Sequence, residues 1–203
     1  MKEEVSTAVK AERAFRQRGG MLRTSQALKL GIHPRTLYEM RDSNRIVQLG
    51  RGLYRLADAT ESEHLDLMAV AMKVPDAVVC LISALAFHEI TTEIPHEVYL
   101  AIQHGKESPR LDYPPVRVFR FSDDTISVGV EKHKMEGVTL HLFNPAKTIA
   151  DCFKFRHKLG VDVAVEALKL CLARRKARPA QILHYARLCR VERVMRPYLE
   201  ALV

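Results

Sequence analysis

Between Gly19-Gly20 and Asn44 no helix can run far. In TSQALKLGIHPRTLYEM, Gly31 interrupts the apolar pattern and Pro34 restarts it a few residues later. Glycine closes helices, and proline suits the first helical position, where its missing N–H costs nothing. The stretch therefore reads as a short helix, SQALKL, capped by Thr24, then a turn in which Ile32 plugs the core. A second helix, PRTLYEMRDS, follows. Leu37 and Met40 stand three apart on its inner side, which leaves Arg35, Thr36, Tyr38 and Glu39 more outward.

Such short helices need neighbours to bury anything useful. One precedes them, a helix expected from about Glu3 to Arg18, with Val5, Ala8, Val9, Ala11, Ala14 and Phe15 available for its apolar face. After the turn at Asn44 come RIVQL and GLYRL, two short strands joined around Gly50-Arg51-Gly52. Helix, helix, tight turn, helix and hairpin is the order of a winged helix-turn-helix.

Charge singles out the same region. Residues 1–56 hold twelve Lys or Arg and five Asp or Glu, a net of +7, out of +8 for the whole 203-residue chain. That asymmetry suits a small nucleic-acid-binding module joined to a larger, nearly neutral domain. The acidic stretch ADATESEHLDL changes the character of the chain, with Thr60 a candidate cap for a helix toward Lys73. Two domains are expected, 1–57 and 61–203.

The larger domain reads as α+β. AVVCLISALAFHEI suggests a brief strand and a helix beginning near Ser83. EVYLAIQ (97–103), VRVFRFS (116–122) and VTLHLFN (138–144) are strands, and ISVGVEKHKM is a candidate for another, in a mainly antiparallel or mixed sheet. The C-terminal region is helical: NPAKTIADCFKFRHKL, then VDVAVEALKLCLARR with a stripe of Val161, Val165, Leu168 and Leu172, then RPAQILHYARLCR and VERVMRPYLEALV. The fold class expected is α+β, a winged helix-turn-helix followed by a larger α+β domain with a C-terminal helical region.

Several chemistries find no support. No apolar run has the length of a membrane span, and the N-terminal residues mix charges throughout, so a cytoplasmic protein is expected. Cys80, Cys152, Cys171 and Cys189 form no CxxC pair, and reduced buried thiols are expected without a zinc site. HEITTEIPHE lacks HExxH, with Thr92 where a second histidine would be needed. Ser83, His88 and Asp151 offer nucleophile, base and acid, yet no GxSxG elbow surrounds Ser83. Ser83 more simply caps a helix, His88 packs near its end, and Asp151 pairs with Lys147 or Lys154. No enzyme, cofactor or metal is expected.

DNA-binding candidates are Arg23, Lys29, Arg35, Thr36, Tyr38, Arg41, Arg45, Arg51 and Arg55. The first turn of the second helix of such a motif approaches base edges in the major groove. Arg35 stands there, and a guanidinium can pair bidentately with guanine. Arg45, Arg51 and Arg55 frame the wing, with Arg51 at its tip facing a groove or the phosphate backbone. Arg23 and Lys29 are candidates for phosphate. ARRKARP with Arg187, Arg190, Arg193 and Arg196 offers a second basic face, part of which serves a helix end. A winged domain contacting protein, and an enzyme with carboxylates converging on a metal, are the alternatives.

Three regions together resemble the AbiEi family of bacterial antitoxins: TSQALKLGIHPRTLYEM with IVQLGRGLYRL; VCLISALAFHEITTEIPHEVYLAI; and, most specifically, FNPAKTIADCFKFRHKLGVDVAVEALK. One departure is His88-Glu89, where the family usually has histidine-glycine. The resemblance implies a winged helix-turn-helix that binds repeats in its own double-stranded promoter DNA and represses a type IV toxin–antitoxin operon. Self-association on that DNA is a further expectation. It also implies a C-terminal domain that counteracts a neighbouring nucleotidyltransferase-like toxin without a stable complex. The family name also covers regulators with no adjacent toxin.

Overall fold

A computed structural model describes residues 7–59 and 64–202. The chain divides into two compact units. The first takes the chain up to Pro75 with Leu111–Pro114 and Lys134–Leu140; the second takes Asp76–Arg110, Pro115–His133 and the chain from His141 onward.

In the first unit α1 spans Thr7–Arg16 and buries Ala11 and Phe15, one turn apart. Residues 3–6 of the expected helix, Val5 among them, lie outside the described residues. A short strand, β1 (Met21–Arg23), leads into α2 (Thr24–Lys29). Arg23, not Thr24, is the capping residue: Gln26 Oε1 accepts from the Arg23 N–H at 2.9 Å. The Thr24 N–H is committed elsewhere, donating to Gly52 O at 2.9 Å and so joining the wing to α2.

Gly31, at φ +77°, ends α2, and Ile32 is buried behind it. α3 (Pro34–Asp42) opens on Pro34, with the His33 Nδ1 accepting from the Arg35 N–H at 3.2 Å. Thr36 departs from the expected outward position: it is 7% exposed. It stands four residues before Met40 and so falls on the same buried stripe. Strands β2 (Ile46–Gly50) and β3 (Leu53–Leu56) follow, giving an antiparallel sheet in the order β1-β3-β2. Leu22, Ile46, Tyr54 and Leu56 join Ala11, Phe15, Ala27, Ile32, Leu37 and Met40 in one core. The arrangement is that of a winged helix-turn-helix. α4 (Leu65–Lys73) completes the unit; Thr60, its candidate cap, lies outside the described residues.

The second unit is built on a mixed five-stranded sheet, of which Lys134–Leu140, the turn of the last hairpin with its adjoining residues, is grouped with the first unit. Its strands are β4 (Val78–Val79), β5 (Val98–Gln103), β6 (Val116–Phe121), β7 (Val130–Met135) and β8 (Val138–Phe143), in the order β6-β5-β4-β8-β7. β4 runs antiparallel to β5 and parallel to β8, and β5 runs parallel to β6. α5 (Leu81–Phe87) begins two residues earlier than Ser83, and a four-residue helix, α6 (Asp123–Ile126), precedes β7. The C-terminal region forms α7 (Pro145–Lys154), α8 (Arg156–Leu159), α9 (Val161–Ala173), α10 (Pro179–Leu188) and α11 (Glu192–Glu200).

On α9 the buried stripe is rotated from the expected one. Val163, Ala164, Ala167, Leu168 and Cys171 are enclosed, whereas Val161 is 43% exposed and Val165 and Leu172 are half-buried. Small residues at 164 and 167 let α9 approach α7 closely, so the two alanines face inward with Val163, and Val161 and Val165 lie toward the margin of the buried face.

Candidate nucleic-acid interface

Pro34 and the His33 cap fix the start of α3 and place Arg35 in its first turn. The Arg35 side chain is 83% exposed, and its one partner on the helix is Glu39, four residues on, at 2.9 Å. Tyr38 is 49% exposed. The Arg41 guanidinium lies over its ring at 5.3 Å and also meets Asp42 at 2.9 Å. Arg35, Tyr38 and Arg41 therefore form the accessible polar face of α3, held by ion pairs that are weak in solvent. These contacts restrain the side chains without tying them to the protein interior.

Lys29, ending α2, and Arg51, in the turn of the wing, are both exposed, with no side-chain partner among the described residues. Gly52 follows Arg51 at φ +67°, which lets the hairpin close tightly. The turn of the wing is held against the start of α2 by the bond from the Thr24 N–H to Gly52 O.

The remaining candidates are placed elsewhere. Thr36 packs in the core beneath α3. Arg45 reaches back to Glu12 of α1 at 3.3 Å. Arg23 and Arg55 are on the far side of the small sheet. Met21 pairs with Arg55, and Arg23 with Leu53, so these four share the face opposite Leu22, Tyr54 and Leu56. Arg23 Nη1 donates there to Met72 O at 3.1 Å. Lys73 also reaches this face and was not among the candidates; only its position at the end of a helix hints at it in the sequence.

In the second unit the tempting triad is dispersed. Ser83 lies inside α5 instead of capping it, and its hydroxyl accepts from the Tyr99 N–H at 2.9 Å. His88 Nε2 bonds Phe143 O at 2.8 Å. Asp151 is bound by Lys147 at 2.5 Å and by the Cys189 thiol at 3.3 Å. Burial pushes the Asp151 carboxyl up, and the Lys147 ammonium draws it back down. No cluster of three or more metal-ligating side chains occurs among the described residues, and no described helix is long and apolar enough to cross a membrane.

The C-terminal cations are partly neutralised. Glu192 takes Arg187 and Arg196, while Glu89 pairs with Lys176 and gives its carbonyl to Arg174. Glu89 itself, the departure from histidine-glycine, stands at φ +59° directly after α5. Its N–H bonds Ala86 O and the Ile90 N–H bonds Leu85 O, both at 2.9 Å, the paired closure in which glycine is usual.

A crystal structure of the RV2827C protein from Mycobacterium tuberculosis shares the fold, with a TM-score of 0.57 at 12% identity, covering 96% of this chain and 81% of that one. No curated protein sequence matches the chain. Over residues 10–57, the helix-turn-helix and its wing, the chain matches the family described as transcriptional regulator, AbiEi antitoxin.

Proposed function

We propose that the protein is a sequence-specific DNA-binding repressor of its own promoter and the antitoxin of a type IV toxin–antitoxin pair. Residues 1–57 serve as the DNA-binding domain and 61–203 as the antitoxin domain, acting in the cytoplasm against a nucleotidyltransferase-like toxin without a lasting complex. The observation that carries this reading is the solvent-facing row Arg35, Tyr38 and Arg41 on the second helix of the helix-turn-helix. Arg35 reads a base edge; Tyr38 and Arg41 lie along the groove wall; Lys29 and Arg51 meet phosphates on either side. Affinity then falls steeply with salt, while sequence preference rests on α3. Two copies on adjacent promoter repeats would occupy them cooperatively.

The test is a gel-shift titration with duplex from upstream of the protein's own gene, comparing wild type with Arg35→Ala and Arg51→Ala. A specific complex at physiological salt, lost or made non-selective by Arg35→Ala, supports the reading. No specific complex with the wild type rejects it. A second reading, a regulator without a toxin, is favoured by the family match ending at residue 57. Co-expression with the product of a neighbouring nucleotidyltransferase-like gene separates the two, since only an antitoxin restores growth.

A further inference from the structure

On the sheet face turned away from α1–α3, where α4 ends, the first unit has more hydrogen-bond donors than acceptors to receive them. Arg55 lies between Met21 and Val47 in register, and Arg23 lies opposite Leu53. Lys73, the last residue of α4, brings its ammonium alongside the wing at Gly50; a Cβ at Gly50 would come within 2.8 Å of Nζ. Each of the nearby acceptors already takes one bond. Met72 O receives Arg23 Nη1 and Tyr113 O receives Lys73 Nζ, each at 3.1 Å, and Asp66 receives the Tyr113 hydroxyl. Arg55 is left with Nε and Nη1 buried and no partner among the described residues. A charged donor stripped of water with nothing in exchange is destabilising. An acceptor from outside the chain would remove that deficit.

We propose that Arg55 and Lys73, with Arg23 beside them, form a binding site for an oxyanion of the phosphate class on the rear of the wing. The planar guanidinium offers a paired donor edge matched to phosphate oxygens, and the lysine ammonium keeps two further N–H groups. Entry of the anion requires Arg55 to swing from its enclosed position, a move that gives up no hydrogen bond of Nε or Nη1. Burial and the bond to Asp66 push the Tyr113 phenol up to about 12, so its hydroxyl stays uncharged beside the anion. The phosphate comes from one of two sources, a free phosphorylated small molecule or the DNA backbone. The second source rests on the proposed DNA-binding reading; the first stands without it.

The full chain is titrated with inorganic phosphate and with pyrophosphate at ionic strength held constant with chloride. The readouts are the Arg55 Nε–H resonance and the thermal midpoint. A saturable shift is expected, weakened about tenfold or more by Lys73→Gln and abolished by Arg55→Gln. Arg55→Lys keeps the charge while losing the paired edge and retains part of the response, which separates binding from misfolding. In a parallel arm the upstream duplex replaces phosphate. If the DNA backbone is the source, Arg55→Gln reduces the salt slope of binding by about one. If a free ligand is the source, Arg55→Gln leaves duplex binding in chloride unchanged. Should wild type and Arg35→Ala both fail to bind duplex, the DNA reading fails and the phosphate arm alone decides the site. An Arg55 resonance that responds to neither phosphate, pyrophosphate nor duplex overturns the proposal.

Discussion

Lys147 Nζ lies 2.5 Å from Asp151 Oδ2, one turn along α7, with both side chains fully enclosed. Phe143 caps the ammonium at 4.1 Å from its ring centre, Phe121 lies at 5.0 Å, and Cys189 donates its thiol to the other carboxylate oxygen. The pair thus links α7 to β8, β6 and the end of α10. A buried ion pair contributes little over an apolar pair of similar volume, but breaking one strands the survivor.

Asp151→Leu is expected to destabilise the protein by about 3–5 kcal/mol, and Lys147→Met by a comparable amount. The double variant Lys147→Met/Asp151→Leu should lose less than the sum of the two single losses, because no lone charge remains. Urea unfolding of the four proteins measures this; additive losses would show that the pair is not energetically coupled.

Glu89→Gly should stabilise the protein. The residue holds a left-handed conformation that costs a side chain about 1 kcal/mol, and glycine removes most of that cost. The exposed contact to Lys176 that is lost contributes less than this. A lowered midpoint in thermal unfolding would reverse the argument.

Arg35 and Arg45 look alike in the sequence, two arginines flanking α3, yet only Arg35 projects from its outer face. Arg35→Ala should cost about 1–3 kcal/mol of specific DNA binding with little change in stability. Arg45→Ala should leave DNA binding within experimental error and cost at most about 1 kcal/mol of stability through loss of the Glu12 contact. Equal losses of DNA binding in both variants would mean that the face presented by α3 has been misassigned.

Local chemistry made the winged domain legible. Gly31, Pro34, Asn44 and the Gly50–Gly52 pair each dictate a turn or a helix start within a few residues, and the helices and hairpin appear where these residues place them. What the sequence left unreadable depended largely on partners distant along the chain. The direction of Arg23 and Arg55 follows from strand pairing parity, which a one-residue change of register would invert. Thr36 faces inward because the buried stripe of α3 is wider than the Leu37–Met40 pair, and the α9 stripe rotated because α7 selects small residues at the contact. Periodicity gives the width of an apolar face more readily than its phase when alanines compete with valines. The exposed face of α3 was therefore readable apart from Thr36, whereas the donor-rich rear of the wing was not, since Lys73 and Tyr113 come from separate segments.

His88 gives the protein a pH dependence whose sign can be stated. Phe143 O can only accept, so His88 Nε2 carries the hydrogen in their 2.8 Å bond. Burial lowers the pKa of the ring below its ordinary 6.5; the bond to Phe143 and the nearby Glu131 oppose that shift, and His133 and Lys176 reinforce it. Between the unfolded value and the depressed folded value, the unfolded chain binds the proton more readily. Stability from this group is therefore full above about pH 6.5 and declines as pH falls toward the folded pKa. His88→Gln, whose amide can still donate to Phe143 O, should flatten the fall in urea midpoint between about pH 6.5 and 5 relative to wild type. Parallel profiles for the two proteins over that range would assign the acid sensitivity to the other histidines.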